Sequence, residues 1–85
     1  MKIIFTAKFE RNYKKLSDFL KDKAEIALEI FKNDPADARL RVHKLQGRFS
    51  GYWSFSVDYE YRIIFRYGDG GEVFLITAGD HDIYK

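Results

Sequence analysis

Tyr52-Trp53-Ser54-Phe55-Ser56-Val57-Asp58, then Tyr61-Arg62-Ile63-Ile64-Phe65-Arg66, then Val73-Phe74-Leu75-Ile76-Thr77: these three runs decide how the chain folds. In the first, Trp53, Phe55 and Val57 alternate with Tyr52, Ser54, Ser56 and Asp58; in the second, Ile63 and Phe65 alternate with Arg62, Ile64 and Arg66. A period of two sends successive side chains to opposite faces of a strand. One face is aromatic and aliphatic and the other polar and cationic, the pattern of an antiparallel sheet covered on one side only. Gly68-Asp69-Gly70-Gly71 supplies the turn between the last two strands, since glycine tolerates the positive φ that tight turns need. A further strand is predicted over Lys2–Thr6, where β-branched and aromatic residues cluster.

Between that first strand and the sheet runs the period changes. Phe9, Tyr13, Leu16, Leu20, Ala24, Ala27, Leu28 and Phe31 recur at spacings of three and four, an apolar stripe on a helix. Phe19, Ile26 and Ile30 widen the stripe and predict burial on more than one side. Ser17 is a candidate N-cap that would split the region into helices near 8–16 and 18–33, one long helix being the alternative. Asn33-Asp34-Pro35 closes it, because the residue before proline is pushed out of helical geometry. The helices must cover the aromatic sheet face, as nothing else in the chain is available to do so. The expectation is an α+β fold: a small antiparallel sheet of about four strands, mixed at the edge, with an N-terminal helical hairpin packed on one face, in a single domain over residues 1–85.

Composition narrows the function classes. The 85 residues include eight Phe, six Tyr and one Trp, so a small core leans on large rings. Without cysteine, neither a disulfide framework nor a thiolate metal site is available. No apolar run approaches the ~20 residues that span a bilayer, and the opening Met1–Thr6 is too short for a signal peptide. A soluble cytoplasmic protein with no membrane partner is expected. The net charge of +2 is uneven: residues 36–67 hold six Lys/Arg against three Asp/Glu, and residues 68–85 hold one against four. Arg39, Arg41, His43, Lys44 and Arg48 fall within ten positions that contain no acid. A basic patch beside an aromatic-rich sheet suits a polyanion such as RNA; a solvated loop is the plain alternative.

No glycine-rich phosphate loop or dinucleotide fingerprint is present. Two histidines and no carboxylate pair at ligand spacing do not suggest a protein-built metal site, and no cofactor is expected. What remains is His43, Lys44, Arg48, Arg62, Arg66, His81 and Tyr84. That inventory suits metal-independent RNA cleavage, in which the 2′-hydroxyl is the nucleophile and the protein supplies a base, an acid and a cation. Each residue also has a structural reading. Arg62 could pair with Asp58 or Glu60, His43 could sit in a turn, His81 could cap the chain end, Tyr84 could anchor the tail, and Arg66 could be structural or partner-facing.

The order strand, helical hairpin, His43-Lys44-Leu45-Gln46-Gly47, Gly51–Val57, Tyr61-Arg62-Ile63-Ile64-Phe65 and terminal His81-Asp82-Ile83-Tyr84 resembles the RelE/ParE superfamily of type II toxins over nearly the whole chain. It looks nearest to the mRNA-interferase branch containing RelE, YoeB and YafQ. The resemblance implies a toxin that enters the ribosomal A site, cuts mRNA there, and is blocked by a cognate antitoxin protein. It also implies roles: Arg62 matches the strand arginine that stabilises the scissile phosphate. His81 matches the C-terminal general acid or base, and His43 the histidine before the Leu-x-Gly motif. Tyr84 falls near a C-terminal aromatic that orients the RNA. Lys44 and Arg48 look like backbone-gripping cations, and Arg41, Ser54 and Ser56 complete the expected RNA-binding set. Ser56 stands where YafQ-like proteins carry a histidine, which leaves the division of labour between His43 and His81 open. Two other readings share the fold: a ParE-like gyrase inhibitor without nuclease activity, and an inactive domain that only docks an antitoxin.

Overall fold

The computed structural model describes residues 1–80. The expected roles of His81 and Tyr84 fall outside the described residues. The chain runs β1 (Ile3–Phe5), α1 (Ala7–Lys14), α2 (Asp18–Asn33), a 3-10 turn (Ala38–Leu40), β2 (His43–Lys44), a second 3-10 turn (Gly47–Phe49), β3 (Trp53–Ser56), β4 (Arg62–Tyr67) and β5 (Val73–Gly79). Five strands form one sheet in the order β1-β5-β4-β3-β2. β1 lies parallel to β5 at one edge, and all other neighbours are antiparallel. The strand beyond the expected four is β2, held by only two register pairs, His43 with Ser54 and Lys44 with Trp53. Two residues are too few to show a period.

Capping decides the helical region. The Thr6 hydroxyl accepts from the Phe9 N–H at 3.2 Å and starts α1, and the Ser17 hydroxyl accepts from the Leu20 N–H at 3.2 Å and starts α2. Each satisfies an N–H that the helix itself leaves without a partner. The region is therefore two helices rather than one. Asp34, at φ −155°, leaves helical geometry just ahead of Pro35.

The core lies between the helices and one sheet face. Phe31 of α2, fully buried, stacks on Phe55 at 4.8 Å and meets Phe65 edge-on at 5.0 Å. Phe9, Ala27, Leu28, Leu40, Ile63, Val73, Leu75 and Ala78 complete the cluster. One expectation fails: Phe19 is 65% exposed and Ile26 62%. At about 100° per residue they project away from the Ala24-Ala27-Leu28-Phe31 stripe, whereas Ile30, the third residue expected to widen it, is partly buried against the core.

Between β4 and β5 the register slips, with Ile64 opposite Thr77 but Phe65 opposite Leu75. The extra residue, Ile76, is a bulge, which re-aims neighbouring side chains without breaking the pairing. The following turn closes as expected, with Gly71 at φ +84° and the Gly68 N–H donating to the Glu72 carbonyl at 2.8 Å. Among the described residues no helix is long and apolar enough to cross a membrane.

Candidate nucleic-acid interface

Sheet register assembles the site. His43, Ser54, Ile64 and Thr77 form one cross-strand row, and Ser56 and Arg62 form the next row along the same face. This is the face turned away from the Phe55-Ile63-Phe65 core. Arg62 Nη1 donates to the Ser56 hydroxyl at 3.0 Å. Neither Asp58 nor Glu60 is its ion-pair partner. Asp58 instead accepts the Glu60 and Tyr61 N–H groups, both at 2.9 Å, and lies 3.9 Å from Lys23. Its carboxylate shapes the β3–β4 turn.

His43 Nδ1 lies 3.0 Å from the Arg41 carbonyl oxygen. A carbonyl only accepts, so in the neutral ring Nδ1 carries the hydrogen and Nε2 keeps its lone pair. Arg41 aims that carbonyl from a left-handed conformation, φ 49°, at the end of the first 3-10 turn. Nε2 is 3.5 Å from the Ser54 hydroxyl. Ser54 is fully buried, so its hydroxyl is not presented to solvent. Ser54 and Ser56 are two residues apart on one strand, a separation of about 7 Å. The His43 imidazole and the Arg62 guanidinium thus lie on one sheet face, each reaching a serine of β3.

The basic cluster divides. Arg39 is locked onto Asp37 through Nε at 3.0 Å and Nη2 at 2.8 Å. Those hydrogen bonds to Arg39 hold the Asp37 carboxyl down at about 2. Lys44 pairs with Trp53 on the helix-covered side, its ammonium 5.4 Å from the indole ring. Arg41 borders a separate hollow with Pro35, Asp37 and Tyr67. Arg66 packs its guanidinium 4.2 Å from the Phe74 ring. Arg48 alone of the cluster joins His43 on the second face, at a recess of ≈ 450 Å³ beside the histidine row. Lys8, Phe49, Tyr52, Ile64, Ile76 and Thr77 line it as well. The second face is therefore not open along its length: Ile64 is 1% exposed and Thr77 9%. Helix α1 edges it on one side, and the 3-10 turn at Gly47–Phe49 edges it on the other.

Lys8, Thr77 and Asn12 (whose side-chain oxygen accepts from the Thr77 hydroxyl) belong to this face, and sequence reasoning missed them; Tyr52, which the alternation put here, joins them. Lys8 and Asn12 are i and i+4 on α1, away from Phe9 and Tyr13, so the helical period marks them as polar. Only the packing of α1 alongside β5 shows which surface they serve. Among the described residues no group of three or more His, Asp or Glu is gathered as metal ligands.

A helical hairpin on a mixed five-stranded sheet is the fold of RelE/ParE-type toxins. The YoeB/ParE toxin from Agrobacterium tumefaciens superposes with a TM-score of 0.76 at 24% identity, over 95% of this chain and 99% of that one. The toxin–antitoxin complex DinJ–YafQ of E. coli contains a chain that superposes with a TM-score of 0.76 at 20% identity, over 96% and 93%. In sequence, the chain is 42% identical over 48 residues to Toxin YoeB of Mycobacterium bovis. That stretch is 56% of this chain and 55% of the relative, so the match spans about half the relative's length. The family model described as ParE toxin of type II toxin–antitoxin system, parDE, matches residues 3–82. The chain belongs to that family.

Proposed function

We propose that this protein is a toxin that cleaves mRNA on the ribosome, using the RNA's own 2′-hydroxyl as nucleophile. The observation that carries this reading is that His43 and Arg62 lie on one sheet face, His43 beside Ser54 and Arg62 bonded to Ser56. His43 Nε2 takes the 2′-hydroxyl proton, and O2′ attacks the adjacent phosphorus. Arg62 stabilises the extra negative charge on the non-bridging oxygens as the bond to O5′ breaks. The departing O5′ takes a proton from the general acid, the role this reading gives to His81, leaving a 2′,3′-cyclic phosphate and a 5′-hydroxyl. Tyr84 would orient the RNA, and Arg48 would grip its backbone. The fold serves both classes, and the 42% identity to Toxin YoeB over 48 residues supports this one over gyrase inhibition. A net charge of +2 gives little grip on free RNA, so the ribosome supplies the positioning.

The same reading implies an antitoxin partner, as the DinJ–YafQ complex has for its own toxin chain. An acidic segment laid over His43, Arg48 and Arg62 would silence the site.

The test is primer extension on mRNA from translating ribosomes incubated with purified protein. Wild type is expected to cut within translated codons, and Arg62→Ala and His43→Gln to lose about a hundredfold or more in rate with unchanged thermal unfolding. Wild-type rates in both variants would remove the mechanism. Inhibition of gyrase supercoiling without any cleavage would replace the function.

A further inference from the structure

The recess beside His43 has no role in the proton transfers, yet it is built from groups that bind one kind of ligand. Its floor is apolar, from Ile64 and Ile76; Phe49 and Tyr52 bring rings to it; Lys8 and Arg48 bring cations. The Thr77 hydroxyl donates to Asn12 Oδ1, which leaves the Asn12 amide nitrogen as a donor beside the recess. A volume of ≈ 450 Å³ lies within the range of small-molecule sites, about 300–1,000 Å³. Aromatic walls with cationic rims match a nucleotide, whose base stacks while its phosphate pairs with a cation.

Position argues for the same ligand. Ile64 stands opposite Ser54, and Ser54 opposite His43. Two inter-strand spacings of about 4.8 Å separate the recess floor from the histidine strand. A phosphate held between His43 and Arg62 would leave the base of a flanking nucleotide within reach of the recess. We infer that this recess is a base-binding subsite: it seats an unstacked base next to the cleaved phosphate, with Lys8 on the neighbouring backbone phosphate. Lys8 is then a backbone-positioning residue supplied by α1, and base preference comes from the walls of the recess. The subsite's place in the reaction rests on the nuclease reading, but the binding itself can be measured without cleavage.

The experiment uses the full chain carrying Arg62→Ala, with methyl-labelled isoleucine, titrated by NMR with the four 5′-nucleoside monophosphates and with ribose 5-phosphate. The nucleotides are expected to shift the Ile64 and Ile76 methyls in a saturable way, with at least one base preferred, and ribose 5-phosphate to leave them unmoved. Adding Tyr52→Ala should weaken binding by about five- to a hundredfold, the range for losing one stacking partner. Adding the exposed-site change Lys8→Ala should weaken it without perturbing the fold. Silent isoleucine methyls, or equal shifts from ribose 5-phosphate, would overturn the subsite. If the wild-type protein cuts mRNA while the recess stays silent, the subsite falls and the nuclease reading survives. If nucleotides bind the recess in a protein that never cuts mRNA, the subsite stands and the nuclease reading falls.

Discussion

The His43 ring is oriented by Arg41, two residues upstream. A non-glycine residue in left-handed geometry costs about 1–2 kcal/mol, and here that geometry points a carbonyl at Nδ1 and leaves the lone pair of the neutral ring on Nε2. The sequence shows a histidine in a basic run; the lone pair's direction depends on a backbone angle no spacing rule encodes. Asp37 and Arg39 give a residue-scale prediction. The Asp37 carboxyl sits at about 2, first because of the Arg39 side-chain hydrogen bonds and then because of the Arg39 backbone N–H. A depressed carboxyl contributes stability above its unfolded value of about 3.9, and loses it as pH falls through the folded value. An NMR titration should place the Asp37 midpoint near 2, and Arg39→Ala should move it toward about 3.9. A midpoint unmoved by that substitution would show that the pair does not form in solution.

Helix α2 shows how far a periodic pattern can be read. Its spacing of three and four identifies the helix and the Ala24-Ala27-Leu28-Phe31 face, and Ser17 and Asp34 mark its ends. The pattern also placed Phe19 and Ile26 inside, and there it fails, because a helix against one sheet buries one stripe whatever its other sides carry. The energetic consequence is measurable by urea unfolding. Leu28→Ala should cost about 2–5 kcal/mol, as expected for a truncated core leucine. Phe19→Ser and Ile26→Gln should each stay within about 0.5 kcal/mol. A cost for Ile26→Gln matching that of Leu28→Ala would mean that α2's outer side is covered after all.

At the scale of the molecule, one ring joins the two layers. Phe31 contacts both Phe55 and Phe65, so Phe31→Ala opens a cavity at the centre of the helix–sheet core. The expected cost is about 3–5 kcal/mol, a large part of a total stability of about 5–15 kcal/mol. Calorimetry should show the melting temperature falling steeply. A variant that melts like wild type would contradict the central packing. The alternating runs were enough to predict an α+β fold with one covered sheet face, and to put Arg62 and Ser56 together on the other. The reason is that strand period and hydrophobic burial are local rules applied residue by residue. The chain's linear order could not show that Lys44 turns to the covered side, that Arg39 is held by Asp37, or that Lys8 comes round to face Arg48 across a recess. Those outcomes depend on strand pairing, on a two-residue edge strand and on where α1 lies against β5. They are contacts between distant residues, and only the folded chain brings their partners within reach.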